Sequence, residues 1–141
     1  MDAIVNEKFA NAQNDQISVL IEGKLGDLTV DAIDLCTIFS NAIDNAVEAL
    51  KDSCVSEKAI QIQFKQQGVM QFLMFRNPVE RGESSHFLFT TKPDYINHGF
   101  GLGNIRMAVE KYNGHMKYYF EKDGEQNFFV LEIILIVQHA T

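Results

Sequence analysis

Starting at about Asp31 or Asp34 and running to Leu50, apolar residues recur at three- and four-residue spacings: Leu35, Ile38, Phe39, Ala42, Ile43, Ala46, Ala49 and Leu50. That period predicts a long amphipathic helix, closed by Lys51-Asp52-Ser53. Its surroundings narrow the fold further. Residues 3–13 place Ile4, Val5 and Phe9 on one helical face, with Asn14-Asp15 as the stop, and Ile17, Val19 and Ile21 then alternate as on a strand. Residues 23–29 read as a turn. After the long helix, Ile60, Ile62 and Phe64 alternate with polar residues, and Gln66-Gln67-Gly68 turns the chain into a second strand over 69–75. Residues 102–112 carry Ile105, Val109 and Tyr112 on one side of a last helix that stops at Asn113-Gly114. Strands over 116–121 and 127–137 form another hairpin. The order α-β-α-β-β-loop-α-β-β, with strands in pairs, predicts an α+β fold with a mixed, mostly antiparallel sheet and helices on one face.

The 141 residues suit a single domain with its own core. Twelve basic against nineteen acidic residues give a net charge of −7, which argues against a surface built to grip nucleic acid or anionic lipid. A locally positive pocket for an anionic ligand remains compatible with that charge. Cys36 and Cys54 form no zinc-ligand pattern and read as reduced thiols of a cytosolic domain. The N-terminus has no signal-peptide pattern, and the most apolar stretch, 128–137, is broken by Glu132 and too short to span a membrane.

Two groups of residues carry chemistry. On the long helix Asn41, Asn45 and Glu48 lie within roughly 60° of one another, and Thr37 and Asp44 extend the stripe. Asparagine is a poor helix former, so two on one mid-helix face ask for a compensating role. A carboxamide oxygen is a hard, neutral ligand suited to Mg²⁺ whose charge phosphates already meet. A merely polar outer face would look similar. The second group is His98-Gly99-Phe100-Gly101-Leu102-Gly103-Asn104, where a long unpatterned stretch (76–101) is expected to meet the last helix. Three alternate glycines let a backbone approach a ligand, and helix-start N–H groups bind anions. The spacing is not the dinucleotide fingerprint. In the unpatterned stretch, Thr90, Thr91 and Lys92 offer two hydroxyls and a cation for phosphates, and Asn77 has the donor and acceptor to read a purine edge. The four histidines are scattered, and no nucleophile–base pair or metal-hydrolase motif is present.

In this order the pieces resemble a known superfamily. The run from Leu35 through Asn41, Asp44, Asn45 and Glu48 to Ala49 is similar to the N box of the ATPases that include gyrase, the heat-shock chaperone, histidine kinases and mismatch-repair proteins. The run from His98 to Asn104 resembles their second glycine box, and Thr90-Thr91-Lys92 the lid segment before it. Within that superfamily the likeness is greatest to catalytic domains of quorum-sensing-type sensor histidine kinases. The resemblance implies a two-layer, Bergerat-type sandwich of a mixed sheet and three helices, with ATP between the long helix and the lid. It implies Asn45 as the Mg²⁺ ligand, and contacts to nucleotide from Asn41, Asp44, Asn77, Thr91, Lys92, His98, Gly99, Gly101, Leu102 and Gly103.

Asn41 stands where hydrolysing members carry a glutamate base. A carboxamide cannot take a proton from water, so the substitution favours phosphoryl transfer over hydrolysis. The first glycine box is absent. Arg76-Asn77-Pro78-Val79 stands in its place, with Asn77 for the aspartate that reads the adenine amino group. Glu48 occupies a position that is basic in many histidine kinases, which leaves Lys92 as the first candidate cation and Arg106 as a weaker one. The implied activity is transfer of the ATP γ-phosphoryl group to a histidine on a dimerising, phosphoacceptor domain upstream, followed by signalling to a response regulator. On this reading the chain is one domain, residues 1–141, cut from a larger membrane-bound kinase. It lies on the cytoplasmic side, and it is inactive in autophosphorylation without its acceptor domain. The alternatives are a stand-alone anti-sigma-type serine/threonine kinase and a degenerate scaffold domain.

Overall fold

The computed structural model describes residues 3–26, 30–51, 53–80 and 93–136, and their side chains except those of 3–5 and 93–100. The elements follow the expected order: α1 (Ala3–Asn14), β1 (Ser18–Glu22), α2 (Ala32–Lys51), β2 (Ala59–Gln67), β3 (Met70–Val79), α3 (Pro93–Lys111), β4 (His115–Asp123) and β5 (Gln126–Ile136). The strands form one sheet in the order β1-β2-β3-β5-β4. β1 runs parallel to β2, reached through α2, and the other neighbours are antiparallel. This is the mixed, mostly antiparallel α+β sandwich expected from the sequence.

Strand alternation decides which face is covered. Ile60 and Ile62 of β2, Leu73 and Phe75 of β3, and Leu131, Ile133 and Leu135 of β5 are all buried. They share one cluster with Ala12 of α1, with Ile38, Phe39, Ala42, Ile43, Ala46 and Leu50 of α2, and with Leu102, Ile105, Ala108 and Val109 of α3. One sheet face therefore takes all three helices. At its centre Phe39 meets Phe75 edge-on, with ring centroids 5.4 Å apart, and Phe64 at 5.8 Å.

Helix ends follow their sequences. α1 stops as Gln16 takes a left-handed φ of 62° while the Ile17 N–H bonds back to Ala12 C=O at 2.9 Å. α3 ends alike: Asn113 has φ 58°, and the Gly114 N–H reaches Val109 C=O at 3.0 Å. Both are Schellman closures. Asp31 caps α2, its carbonyl accepting from the Asp34 and Leu35 N–H groups at 3.0 Å. The β2–β3 hairpin turns on Gly68-Val69, where Gly68 supplies the positive φ of 61° that a two-residue turn requires.

Two boundaries differ from the sequence expectation. β3 runs on to Val79 although Pro78 argues against a central strand. The register explains it: β2 pairs with β3 only as far as Arg76, so Asn77, Pro78 and Val79 have β5 alone beside them. There β3 is an edge, and the missing proline N–H costs no ladder bond. α3 begins at Pro93, not near Leu102. Proline is well placed in a helix's first turn, but the alternate glycines and absent apolar period of its first half hide that half from a pattern search.

Candidate functional site

The N-box side chains project from α2. Asn41 and Asn45 are half-buried, and Asp44 and Glu48 are exposed. The Asn41 Nδ2 donates to the Thr37 carbonyl one turn back at 2.8 Å. That bond commits the nitrogen end of its carboxamide to the helix and leaves Oδ1 as the acceptor end. Asp44 turns to the other flank, where Lys8 of α1 pairs with it at 3.0 Å. The structure thus separates Asp44 from the asparagines.

Asn45 faces α3. A Cβ placed on Gly101 would stand 2.9 Å from Asn45 Oδ1 and 3.3 Å from its Nδ2. A larger residue there would have to push the Asn45 carboxamide aside, so the two motifs, about 55 residues apart in sequence, meet side chain to backbone. Gly103 is exposed, and nothing lies within 4 Å of where its Cβ would be. The Leu102 side chain joins the core, 9% exposed, so it packs α3 against the sheet and does not face a ligand.

The expectation that the glycines present N–H groups at a helix start is corrected: Gly99, Gly101 and Gly103 lie inside α3. Beyond the first turn, helical N–H groups are committed to the carbonyls four residues back. His98 and Gly99 are on α3, but their side-chain surroundings are outside the described residues. So are Thr90, Thr91 and Lys92 altogether. Arg106 is exposed and reaches Glu110 at 3.9 Å along its own helix.

Asn77 lies on the sheet, at the end of β3. It follows Leu73 and Phe75 on the helix-facing side of β3, is 3% exposed, and donates from Nδ2 to the Pro78 carbonyl at 3.1 Å. Its neighbour Arg76, not singled out for a structural role from the sequence, holds this strand end from the opposite face. Its guanidinium donates to Glu121 at 2.8 Å and to Gln61 at 2.9 Å, reaches Asp123 at 3.4 Å, and lies 3.6 Å from the Phe128 ring centroid. A cation two residues before a proline, beside an aromatic-rich partner strand, gave no period to read, so only the register reveals the clamp.

The site can hold a metal–phosphate ligand better than a bare ion. The Asn41 and Asn45 oxygens are hard but neutral, and among the described residues no cluster of three or more His, Cys, Asp or Glu side chains is present. Gly101 lets the α3 backbone lie close against Asn45 Oδ1, where a Cβ would crowd that oxygen.

Comparison with known proteins agrees with this fold. The chain superposes on the mycobacterial sensor histidine kinase MprB with a TM-score of 0.70 at 14% identity, covering 97% of this chain and 95% of that one. It superposes on the catalytic domain of histidine kinase ThkA with a TM-score of 0.62 at 18% identity, covering 92% and 88%. No curated protein sequence matches it. The model of the GHKL domain family matches residues 30–136, the stretch from the cap of α2 to the end of β5 that contains both motifs. The chain belongs to the GHKL domain family.

Proposed function

We propose that this domain binds Mg-ATP and passes its γ-phosphoryl group to a histidine on a separate dimerising phosphoacceptor domain, as the catalytic part of a sensor histidine kinase. The observation that carries the reading is the approach of Gly101 to the Asn45 carboxamide, which brings N box and glycine box into one site. Asn45 and Asn41 supply oxygen ligands toward Mg²⁺, and Asn77 the purine-edge contact. Thr91 and Lys92 supply the lid contacts. Gly101 and Gly103 let the nucleotide close on α3, with His98, Gly99 and the Leu102 backbone beside them. Asp44, held by Lys8, reaches nucleotide only by leaving that pair. Mg²⁺, when bound, neutralises the charge on the phosphates.

The protein's share of the reaction is positioning and charge. The P–O bond to ADP breaks as a P–N bond forms to the acceptor imidazole, and no side chain of this domain takes a covalent role. Asn41 can orient water but cannot deprotonate it, which disfavours hydrolysis. On this reading the chain is one domain of a longer, membrane-attached protein. It works on the cytoplasmic side, answers to a response regulator and has no nucleic-acid partner. The described helices include none long and apolar enough to cross a membrane.

Titration with a fluorescent ATP analogue, with Mg²⁺ and with EDTA, is expected to show saturable, Mg²⁺-strengthened binding; absence of binding at millimolar nucleotide overturns the proposal. Gly101→Ala gives a sharper result. Alanine stabilises a helix interior by about 1 kcal/mol over glycine, yet its Cβ must displace the Asn45 carboxamide. The expected variant melts no lower than the parent and binds Mg-nucleotide about tenfold more weakly. Unchanged affinity would remove this contact from the site.

A further inference from the structure

α2 and α3 touch at a second place. Three turns before Asn45, Asp34 lies in the first turn of α2; three turns after Gly101, Tyr112 stands one residue past the end of α3. Each offset is eleven residues, about 16.5 Å and close to a whole number of turns. The pairs Asn45–Gly101 and Asp34–Tyr112 therefore lie on the same facing stripes of two antiparallel helices.

The bonds at this second contact are specific. The Tyr112 hydroxyl donates to Asp34 Oδ2 and accepts from the Asp31 N–H at 3.0 Å. Lys111 donates to the same Asp34 oxygen at 2.9 Å. The residue just past α3 thus binds the residue capping α2, and one phenol satisfies a donor and an acceptor on its partner helix. The rest of the helix contact is apolar and non-directional: Leu102, Ile105, Ala108 and Val109 share one buried cluster with the apolar row of α2. Bonds at the helix ends supply the direction it lacks.

We propose that the Asp31–Asp34–Tyr112–Lys111 clasp is a positioning device that fixes the register of α3 on α2, and so fixes where Gly101 stands against the Asn45 carboxamide. Tyr112 and Asp34 are positioning residues that touch no ligand. The clasp's effect on nucleotide rests on the function proposed above, whereas its effect on Asn45 does not.

The titration of the clasp agrees with the geometry. The Tyr112 hydroxyl and then Lys111 hold the Asp34 carboxyl below the usual carboxylate range. The bond to Asp34 raises Lys111 and, more than any other influence, raises Tyr112, with Asp31 the other charge nearby. A lowered carboxylate contributes above its unfolded value near 4 and is lost as pH falls through the lower folded one. A raised phenol or ammonium contributes below about 10 and is lost as pH rises through the higher folded value. The clasp is fully formed between those limits.

The test is ¹⁵N NMR of the nucleotide-free protein, with Tyr112→Phe as the main variant and Asp34→Asn as the conservative one. Tyr112→Phe keeps the ring packing and loses both hydroxyl bonds; Asp34→Asn keeps an acceptor for the phenol and loses the charge. The Asn45 side-chain amide and the Gly101 backbone amide are expected to shift in Tyr112→Phe and to move back toward the parent positions in Asp34→Asn. Mg-nucleotide affinity is expected to fall about fivefold in Tyr112→Phe and less in Asp34→Asn. Shifts confined to residues around 31–35 and 109–114, with Asn45 and Gly101 unmoved, overturn the proposal. If Asn45 and Gly101 move but the parent binds no nucleotide, the clasp stands and the proposed function falls.

Discussion

Phe39→Ala is expected to destabilise the domain by about 3–5 kcal/mol, the cost of an aromatic cavity that its surroundings only partly refill. Phe39 is fully buried, with the Phe75 ring on one side and Phe64 on another. Nothing near it can collapse cheaply, because both neighbours belong to β2 and β3, whose positions the ladder fixes. Domains of this size are stable by only about 5–15 kcal/mol in total, so the variant sits close to the unfolding threshold. Urea denaturation should show the midpoint falling with little change in slope. A loss below about 1 kcal/mol would mean that α2 does not rest on the β2–β3 floor as described. The effect reaches the site because Asn41 and Asn45 stand on the opposite side of the same helix, two and six residues on.

Asn45→Ala is expected to do the reverse: leave the fold intact and weaken ligand binding. Alanine is the better helix former by several tenths of a kcal/mol, and Asn45 is only half-buried, so the melting temperature should hold or rise. Losing one oxygen that interacts with a charged ligand is worth about 1.5–3 kcal/mol, a weakening of roughly 10- to 100-fold in Mg-nucleotide affinity. The diagnostic is the comparison in EDTA. Without Mg²⁺ the variant should bind nucleotide as weakly as the parent does, since its loss lies in the metal-dependent part. A variant that still gains affinity from Mg²⁺ as the parent does would take Asn45 out of the metal's reach.

The sequence revealed α2 most clearly because its apolar period is unbroken for about four turns and its polar face carries residues that helix propensity alone would not choose. Both hairpins were legible for the same reason, alternation bounded by Gly68 and Gly124. The extent of α3 was not. Gly99, Gly101 and Gly103 look like a loop to any propensity argument, and the helix beneath them starts at a proline that reads equally well as a breaker. The end of β3 was hidden too, because whether Pro78 is tolerated depends on where β2 stops pairing, a property of register that no single strand's sequence contains. In the site, the kinds of residues were legible and their contacts were not. Asn45 and Asp44 are adjacent in sequence and equally polar, yet one faces Gly101 and the other Lys8.

The parallel pairing of β1 with β2 has a consequence for the life of the chain before it folds. Both hairpins close over two-residue turns, so β2–β3 and β4–β5 can form from local contacts. β1 reaches its place only after α2 has crossed the sheet. Until then the free edge of β2 offers the alternating Ile60, Ile62 and Phe64 to any other extended chain, the usual template for aggregation. The helix that carries the asparagines is therefore also the guard of that edge, and substitutions that loosen it expose the protein to self-association during synthesis.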